Sequence, residues 1–244
     1  MVTRFYCFLT GLVGLLFSAL VFAEQRALHM VYSDHWHPYS FLNDQTEPDG
    51  LLVRRMDRLF GEQLGLAIEH HVLPWKRAQK LVEMGRYDAM VAVPTQSRLA
   101  YAERSNSVLY RFRVRAFLSE HSPRFGQLKQ SESPFNVPGI RCITMLGDKS
   151  SEKICRSRGI DCDSVANVGL AINMLKAGRV DFFVHSQDSV DSYLKGADGD
   201  GVTMHDSELN SVSAVLMVSR KSSFAGELVK QVDDVLAESD LSAP

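Results

Sequence analysis

The triplet His35-Trp36-His37 is the local cluster of this sequence with metal-ligand chemistry. Alternate residues of an extended chain point to the same side, so the two imidazoles of the triplet could face one ion. His70 and His71 end a different strand nearby. Histidine pairs without a third ligand at motif spacing more often line a surface or a pocket. We therefore predict no metal site and no cofactor.

Motifs of known catalytic centres are absent from the 244-residue sequence. It contains no G-x-S-x-G nucleophile elbow, no H-E-x-x-H zinc motif, no Walker loop and no glycine-rich dinucleotide motif. The 27 basic and 29 acidic side chains give a net charge of −2, which provides no basic field for a nucleic-acid backbone. We therefore expect a binding protein that is not an enzyme and does not bind nucleic acid.

The first 23 residues have the pattern of a secretory signal peptide. Arg4 is their single charge, an apolar run follows to Ala23, and small residues precede a cut before Glu24. The alternative is an uncleaved membrane anchor, because the apolar run is nearly long enough to span a bilayer. We predict cleavage after residue 23 and a periplasmic protein.

The remaining sequence alternates strand-like runs with helical periodicity, which indicates an α/β sheet. The first half predicts strands at 28–33, 67–71 and 87–93, with helices from Gly50 to Gly65 and from Pro74 to Gly85. After a looser stretch, the plan repeats with strands at 140–145, 163–165 and 180–184 and helices at 150–157 and 168–177. The last predicted elements are a strand at 211–219 and a helix whose apolar stripe extends from 228 to 236.

Two α/β units predict two lobes, the first formed by 24–119 with 206–244 and the second by 120–205. The carboxyl ends of strands in open α/β sheets face a crevice. Four segments should therefore meet in one site, namely 33–39, 94–98, 147–151 and 185–187.

The order of short motifs resembles the bacterial extracytoplasmic solute-binding proteins, family 3, which include the amino-acid-binding components of ABC importers. Trp75-Lys76-Arg77 is followed by GRYDAMVAV, then by Thr95 to Arg98, and in the second half by AGRVD. The ending VSAVLMVSRKSSFAGELVKQVDDVLAE also resembles the returning strand and last helix of this family. The resemblance implies the type II periplasmic-binding-protein fold, in which two doubly wound lobes with flanking helices are joined by two crossover strands and close on a ligand.

The resemblance also implies a ligand site. Arg98 matches the family's arginine that grips the ligand carboxylate, for which a guanidinium fork is suited. Thr95 is placed to cap the same helix start, and Trp75 to supply an apolar wall or cation–π face. Of Trp36 and Tyr39, we expect one rather than both in the cleft. The full set of expected ligand-binding residues is Arg98, Thr95, Trp75, Tyr39, Trp36, Lys149, Ser150 and Ser186.

The sequence departs from the family pattern where many members hold the ligand's α-ammonium group with an acid. Here His185, Ser186 and Gln187 follow the second lobe's buried strand, and Asp188 is the nearest acid. We therefore expect an amino-acid-like carboxylate that lacks a free ammonium group or carries extra negative charge. Lys149 would favour such an anion.

Export permits disulfides, and the exported part of the chain has three cysteines: Cys142, Cys155 and Cys162. An odd number leaves at least one unpaired. We predict a local bridge between Cys155 and Cys162, and a bridge between Cys142 and Cys155 remains an alternative.

The function predicted from the sequence is periplasmic capture of a small carboxylate-bearing solute for an ABC importer by a monomer. The first alternative is an enzyme similar to periplasmic cyclohexadienyl dehydratases, which needs a general acid; Asp34 and Glu47 are the acids near the first-lobe site. The second is a sensory binding protein that reports to a membrane receptor.

Overall fold

The computed structural model describes residues 26–195, 200–207 and 209–238. The predicted signal peptide lies outside these residues. Within the described ranges, no helix combines the length and the apolar character needed to cross a bilayer.

Eleven strands and eight α-helices make up the described chain. The strands are β1 Leu28–Ser33, β2 Phe41–Leu42, β3 Pro48–Asp49, β4 Ile68–Leu73, β5 Ala89–Ala92, β6 Ala102–Ser119, β7 Cys142–Met145, β8 Asp163–Val165, β9 Phe182–Ser186, β10 Val202–Met204 and β11 Asn210–Ser219. The helices are α1 Leu51–Met56, α2 Trp75–Glu83, α3 Gln96–Leu99, α4 Phe125–Gln130, α5 Lys149–Arg156, α6 Val168–Lys176, α7 Gln187–Lys195 and α8 Glu227–Glu238. A π-helix over Asp57–Gln63 continues α1, and a 3-10 turn covers Pro134–Asn136.

The main sheet has the strand order β4-β1-β5-β11-β6-β9-β7-β8, with β10 paired to β6. Strands β1, β4 and β5 are parallel, as are β7, β8 and β9. In each set the first strand in the chain lies between the second and the third. This is the doubly wound arrangement, whose ligand crevice lies where the chain switches direction across the first strand.

Two long antiparallel strands, β6 and β11, join these two sets. The first part of β6 pairs with β11, and its last part, Val114 to Leu118, pairs with β9. We call the half built on β1, β4 and β5 lobe 1, and the half built on β7, β8 and β9 lobe 2. The residue boundaries proposed from the sequence for the two lobes stay a prediction.

Each lobe buries apolar side chains on both faces of its strands. In β1, Leu28 and Met30 lie in one core cluster, whereas Val31 lies in another with Ala78 and Val82 of α2. This split follows from the alternation of side chains along a strand. Helices therefore cover both faces, and the edge formed by the carboxyl ends of the strands is left for a site.

Gly50 fixes the junction between β3 and α1. Its φ of +127° with ψ of 173° belongs to a region that is essentially restricted to glycine. A Cβ atom there would overlap the carbonyl group of Tyr39 and come within 2.8 Å of the Ser40 backbone nitrogen. We expect Gly50→Ala to lower the free energy of unfolding by about 3 kcal/mol or more, measured by urea denaturation.

Gly61 is the matched control, because a Cβ atom built on it meets no atom within 4 Å. Gly61→Ala should be neutral or stabilising by up to about 1 kcal/mol, since alanine is the better helix former. Equal losses of stability from the two substitutions would contradict this account of Gly50.

Candidate functional site

A cavity of about 150 Å³ lies between the two lobes. Lobe 1 lines it with residues that follow β1, start α2, end β5 and belong to α3: Ser33, Asp34, Trp36, Pro74, Trp75, Lys76, Val91, Ala92, Val93 and Arg98. Lobe 2 lines it from the ends of β7, β8 and β9 and from α5: Met145, Leu146, Asp148, Ser150, Ser151, Ala166, His185 and Ser186. The crossover strands add Phe112, Val114 and Val212. All four sequence segments expected to meet contribute residues.

Arg98 is the buried cation of the cavity, with 3% of its surface exposed. Its Nε donates a hydrogen bond to Gln79 Oε1 at 2.9 Å, and one terminal nitrogen donates to the Val93 carbonyl at 2.7 Å. The guanidinium carbon lies 5.2 Å from the centre of the Trp75 ring, a cation–π contact. Desolvation lowers the pKa of Arg98, and Asp148 is the largest influence that opposes it.

Asp148 faces the cavity from lobe 2 as the N-cap of α5. Its carboxylate accepts backbone hydrogen bonds from Ser150 and Ser151 at 3.1 and 3.2 Å. The hydroxyls of both serines also donate to it, the one of Ser151 at 2.6 Å. Although burial opposes ionisation, these hydrogen bonds hold the pKa of Asp148 below its ordinary value. The Asp148 carboxylate therefore already occupies the backbone N–H groups of Ser150 and Ser151 at the start of α5.

His185, at the end of β9, is 6% exposed and stacks on Phe183 with ring centres 5.1 Å apart. Neither of its ring nitrogens has a hydrogen-bond partner among the described residues. Desolvation lowers its pKa to about 4, although Asp148 acts in the opposite direction. The ring is therefore neutral at pH 7.

Two further polar atoms of cavity-lining residues are buried without a partner in the described part of the chain. They are the indole Nε1 of Trp36 and the hydroxyl of Ser186. Trp36 packs on Phe112 with ring centres 4.9 Å apart, so its nitrogen is held in a fixed apolar wall. Buried polar groups in folded proteins nearly always have partners. The two atoms are therefore unsatisfied polar groups in the wall of the cavity.

Asp34 is the second carboxylate of the cavity and directly follows β1. It is partly buried, and desolvation raises its pKa while His35 acts against the rise. Glu47, the other acid that the sequence placed near this site, is exposed in the turn between β2 and β3 and does not line the cavity.

Two hydrogen bonds connect the lobes. The Tyr39 hydroxyl donates to Asp188 Oδ2 at 2.9 Å, and the Gln79 amide donates to the Gly147 carbonyl at 3.3 Å. Gly147 has a φ of +85°, and a Cβ atom there would lie 3.3 Å from the Gln79 amide nitrogen. The two lobes therefore contact each other through these residues.

Five of the eight residues expected to bind ligand line the cavity: Arg98, Trp75, Trp36, Ser150 and Ser186. Tyr39 does not; it is fully buried in the lobe 1 core, where it contacts Asp188. Lys149 also lies outside the lining and pairs with Glu152 one turn further along α5. The cavity therefore has Trp36 rather than Tyr39 from the loop after β1.

The expectation that the Thr95 side chain caps α3 is wrong. Thr95 occupies the N-cap position, but its hydroxyl contacts Ser97 Oγ at 3.1 Å and accepts no hydrogen bond from the helix backbone. Arg98 N and Leu99 N instead donate to the Thr95 carbonyl. Because the side chain turns toward Ser97, it neither caps the helix nor reaches the cavity.

The cysteines and the histidine triplet lie elsewhere. Cys162 is within bonding reach of both Cys142 and Cys155, with Cα–Cα distances of 4.8 and 6.3 Å that both suit a disulfide. A disulfide between Cys155 and Cys162 therefore stays a prediction. A disulfide between Cys142 and Cys162 also has suitable geometry, and the sequence had not indicated this pairing. His35 is exposed, and His37 stacks on Phe41.

Asp148 and His185 line the cavity but were not among the expected ligand-binding residues, although both lie in the segments that the sequence selected. An Asp followed by Ser150 and Ser151 before a helical stretch is an N-cap signal, which could have identified Asp148. Nothing in the sequence distinguishes a buried His185 from an exposed one.

Comparisons with known proteins address the fold that holds this cavity. Residues 28–240 match the sequence model of the bacterial extracellular solute-binding proteins, family 3. A comparison with curated protein sequences gives no match. The arginine-, lysine-, histidine-binding protein ArtJ from Geobacillus stearothermophilus has a TM-score of 0.71 at 14% identity, over 89% of this chain and 90% of its own.

Two other solved structures have the same fold. The substrate-binding protein of an amino acid ABC transporter has a TM-score of 0.69 at 20% identity, covering 89% of this chain and 94% of its own. A histidine kinase sensor domain with similarity to periplasmic binding proteins has a TM-score of 0.74 at 16% identity, covering 89% and 93%. The chain therefore belongs to the bacterial extracellular solute-binding proteins, family 3, and has the two-lobed α/β fold of type II periplasmic binding proteins.

Proposed function

We propose that this chain is a periplasmic solute-binding protein that captures a small carboxylate-bearing, amino-acid-like solute between its lobes and delivers it to an ABC importer. It acts as a monomer and performs no catalysis. The observation that carries the proposal is Arg98. Its guanidinium lines the cavity, is almost fully buried, and has no carboxylate within 4.0 Å among the residues of the described ranges.

The electrostatics of the cavity favour an anionic group at Arg98. A buried charge without a counter-ion is unfavourable, and a ligand carboxylate would supply two oxygens to the guanidinium fork. Asp148 does not fill this role, because its oxygens are occupied by the start of α5. Binding would therefore complete a charge pair that the protein leaves open.

The remaining lining defines the rest of the ligand. Most of it is apolar, from Trp75 and Val91 in lobe 1 to Met145 in lobe 2. Trp36 and Ser186 bring a buried indole N–H and a buried hydroxyl to the cavity wall, both without a partner among the described residues. A volume of about 150 Å³ is below the ~300–1,000 Å³ of pockets for drug-sized ligands. A small, partly apolar acid fits better than a peptide or an oligosaccharide.

A thermal-shift screen of the untagged chain from residue 24 tests this function. The panel contains α-amino acids, their N-acyl and 2-oxo analogues, dicarboxylates and uncharged sugars. A ligand that binds only the folded protein raises Tm. At a ligand concentration of a hundred times Kd, it increases the free energy of unfolding by about 2.7 kcal/mol. We expect at least one monocarboxylate or dicarboxylate to raise Tm and the sugars to have no effect. A shift caused by a sugar alone would contradict the proposal.

Asp34 favours one alternative, an enzyme similar to cyclohexadienyl dehydratases. Its raised pKa and its place in the cavity suit a general acid. Incubation with arogenate or prephenate separates the two functions, because an aromatic product absorbs in the ultraviolet. The alternative requires product formation that Asp34→Asn abolishes, whereas our proposal requires none.

The second alternative is a sensory role, which the histidine kinase sensor domain among the structures of this fold supports. The ligand chemistry would be the same, and only the membrane partner would differ. Reconstitution with a candidate ABC importer distinguishes the two, because solute uptake requires the importer.

A further inference from the structure

Three potential metal ligands meet on lobe 1, away from the cavity. His29 lies on β1, and Glu69 and His71 lie on the neighbouring strand β4. The strands are parallel, with His29 beside Glu69 and Val31 beside His71 in the register. None of the three lines the cavity, which is formed by residues that follow the other end of β1.

The pleat of the two strands explains why these side chains share one face. His29 alternates with Leu28 and Met30, whose side chains enter the opposite core. In β4, His70 points to that opposite side and contacts the Tyr32 hydroxyl at 2.9 Å and Asp57 at 2.8 Å. His71 instead packs beside the Tyr87 ring, with ring centres 4.6 Å apart. The cluster is therefore built by strand pairing rather than by chance proximity of long side chains.

One atom of each residue faces the same point. His29 Nδ1 is 3.2 Å from His71 Nε2 and 3.2 Å from Glu69 Oε2. The third edge of this triangle, from His71 Nε2 to Glu69 Oε2, is 3.9 Å. Tetrahedral zinc with bonds of about 2.0–2.1 Å to nitrogen and oxygen places its ligand atoms about 3.3 Å apart. Two edges already have this length, and the third needs a small movement of one side chain.

The chemistry and exposure of the triangle suit an ion. Imidazole nitrogens are preferred ligands of Zn²⁺, and two imidazoles with one carboxylate leave a fourth position for water. The side chains are 33%, 57% and 31% exposed for His29, Glu69 and His71, so solvent gives an ion direct access. The β4 strand is at the edge of the sheet.

We propose that His29, Glu69 and His71 form a surface site for a zinc-class divalent ion, which ties the edge strand β4 to β1. This site is independent of the solute cavity. It departs from the sequence analysis, which predicted no metal and considered His35 and His37 instead. The partners are 40 and 42 positions apart along the chain, so only the register of β1 and β4 brings them together.

Calorimetric titration of ZnCl₂ into the untagged, chelator-treated chain from residue 24 tests the site. We expect binding of one ion and a higher Tm in its presence, because the ion binds the folded sheet. His71→Ala and Glu69→Gln should each weaken binding by about tenfold or more, since even outer-shell changes at metal sites have effects of this size. Co²⁺ in place of Zn²⁺ should give a visible absorption band that His71→Ala removes.

His35→Asn is the matched control. His35 is exposed with a φ of 47°, which asparagine tolerates, and its loss should leave the Zn²⁺ affinity unchanged. Melting curves without metal establish that each variant folds. Absence of Zn²⁺ binding to the parent chain would overturn the proposal. So would binding that survives His71→Ala but disappears after alkylation of the thiols, since Cys142, Cys155 and Cys162 form the other three-ligand group of the described chain.

Discussion

Arg98→Ala should weaken solute binding by about 30-fold or more, which corresponds to the ~2 kcal/mol of a charge-assisted hydrogen-bonded pair. The substitution removes the only buried guanidinium lining the cavity in the described chain. It also removes the contact with the Trp75 ring and the hydrogen bonds to Gln79 and Val93. Isothermal titration calorimetry measures this loss of affinity, with the acid that raises Tm most in the thermal-shift screen as the ligand.

Two companion variants separate binding from folding. Arg98→Lys keeps the charge but not the planar fork, so we expect an intermediate affinity. Arg58→Ala removes an exposed arginine that lies outside the cavity lining, and its affinity should equal that of the parent. Urea denaturation reports the stability of each variant. An Arg98→Ala protein that is folded and binds with unchanged affinity would place the ligand carboxylate elsewhere.

The second large effect is a loss of stability in acid that depends on His185. Desolvation sets its pKa in the folded protein to about 4, below the ordinary value of 6.5. Between these values the unfolded chain binds more protons than the folded one, so stability increases with pH. The contribution of His185 is complete above pH 6.5 and is lost as pH falls toward 4. Its maximum is about 3 kcal/mol, from 1.36 kcal/mol per pKa unit.

His185→Phe isolates this contribution. Phenylalanine keeps a ring against Phe183 and removes two buried nitrogens that have no partner in the described chain. The urea-derived free energy of unfolding of the variant should fall less between pH 6.5 and 4 than that of the parent. Other titrating groups, such as His37, remain in both proteins, and the difference cancels them. Parallel pH profiles for the two proteins would show that His185 does not cause the acid sensitivity.

Asp148 should not contribute to the same pH window. Its folded pKa is lowered, mainly by hydrogen bonds from Ser150 and Ser151, which outweigh the burial that would raise it. A carboxyl group with a lowered pKa stabilises the protein above its ordinary pKa, and this share is lost as pH falls through the lowered value. Because Asp148 acts against the lowering of the His185 pKa, the two groups titrate as an interacting pair.

The positions of the cavity segments could be predicted from the sequence because the topology is simple. Parallel strands end at one edge, so residues such as Trp36 and Arg98, which follow β1 and β5, had to lie there. The orientation of individual side chains was less accessible. Trp36 faces the cavity and Tyr39 does not, because the Trp36 amide donates to the Ser40 carbonyl and forms a tight turn. Lys149 and Asp148 are adjacent in the chain. Asp148 caps α5 and lines the cavity, whereas Lys149 pairs with Glu152 outside it.

The longest strand was missed for a physical reason. Strand β6 starts with the polar run AERSNS and lacks a strict alternation, since it crosses from lobe 1 to lobe 2 and its surroundings change along its length. Helix α7 was missed because it begins directly after β9 without a turn signal. Contacts between distant segments, such as Tyr39 with Asp188, follow from lobe packing rather than from local pattern.

The most direct test of the central claim, that Arg98 binds a ligand carboxylate, is a pair of calorimetric titrations. The parent protein is titrated with the acid that raises Tm most in the screen. It is also titrated with the primary carboxamide of that acid, which has the same shape but no charge. We expect the acid to bind about 30-fold more tightly or better, because only the anion forms the charge-assisted pair. Equal affinities for the acid and the amide would contradict the account.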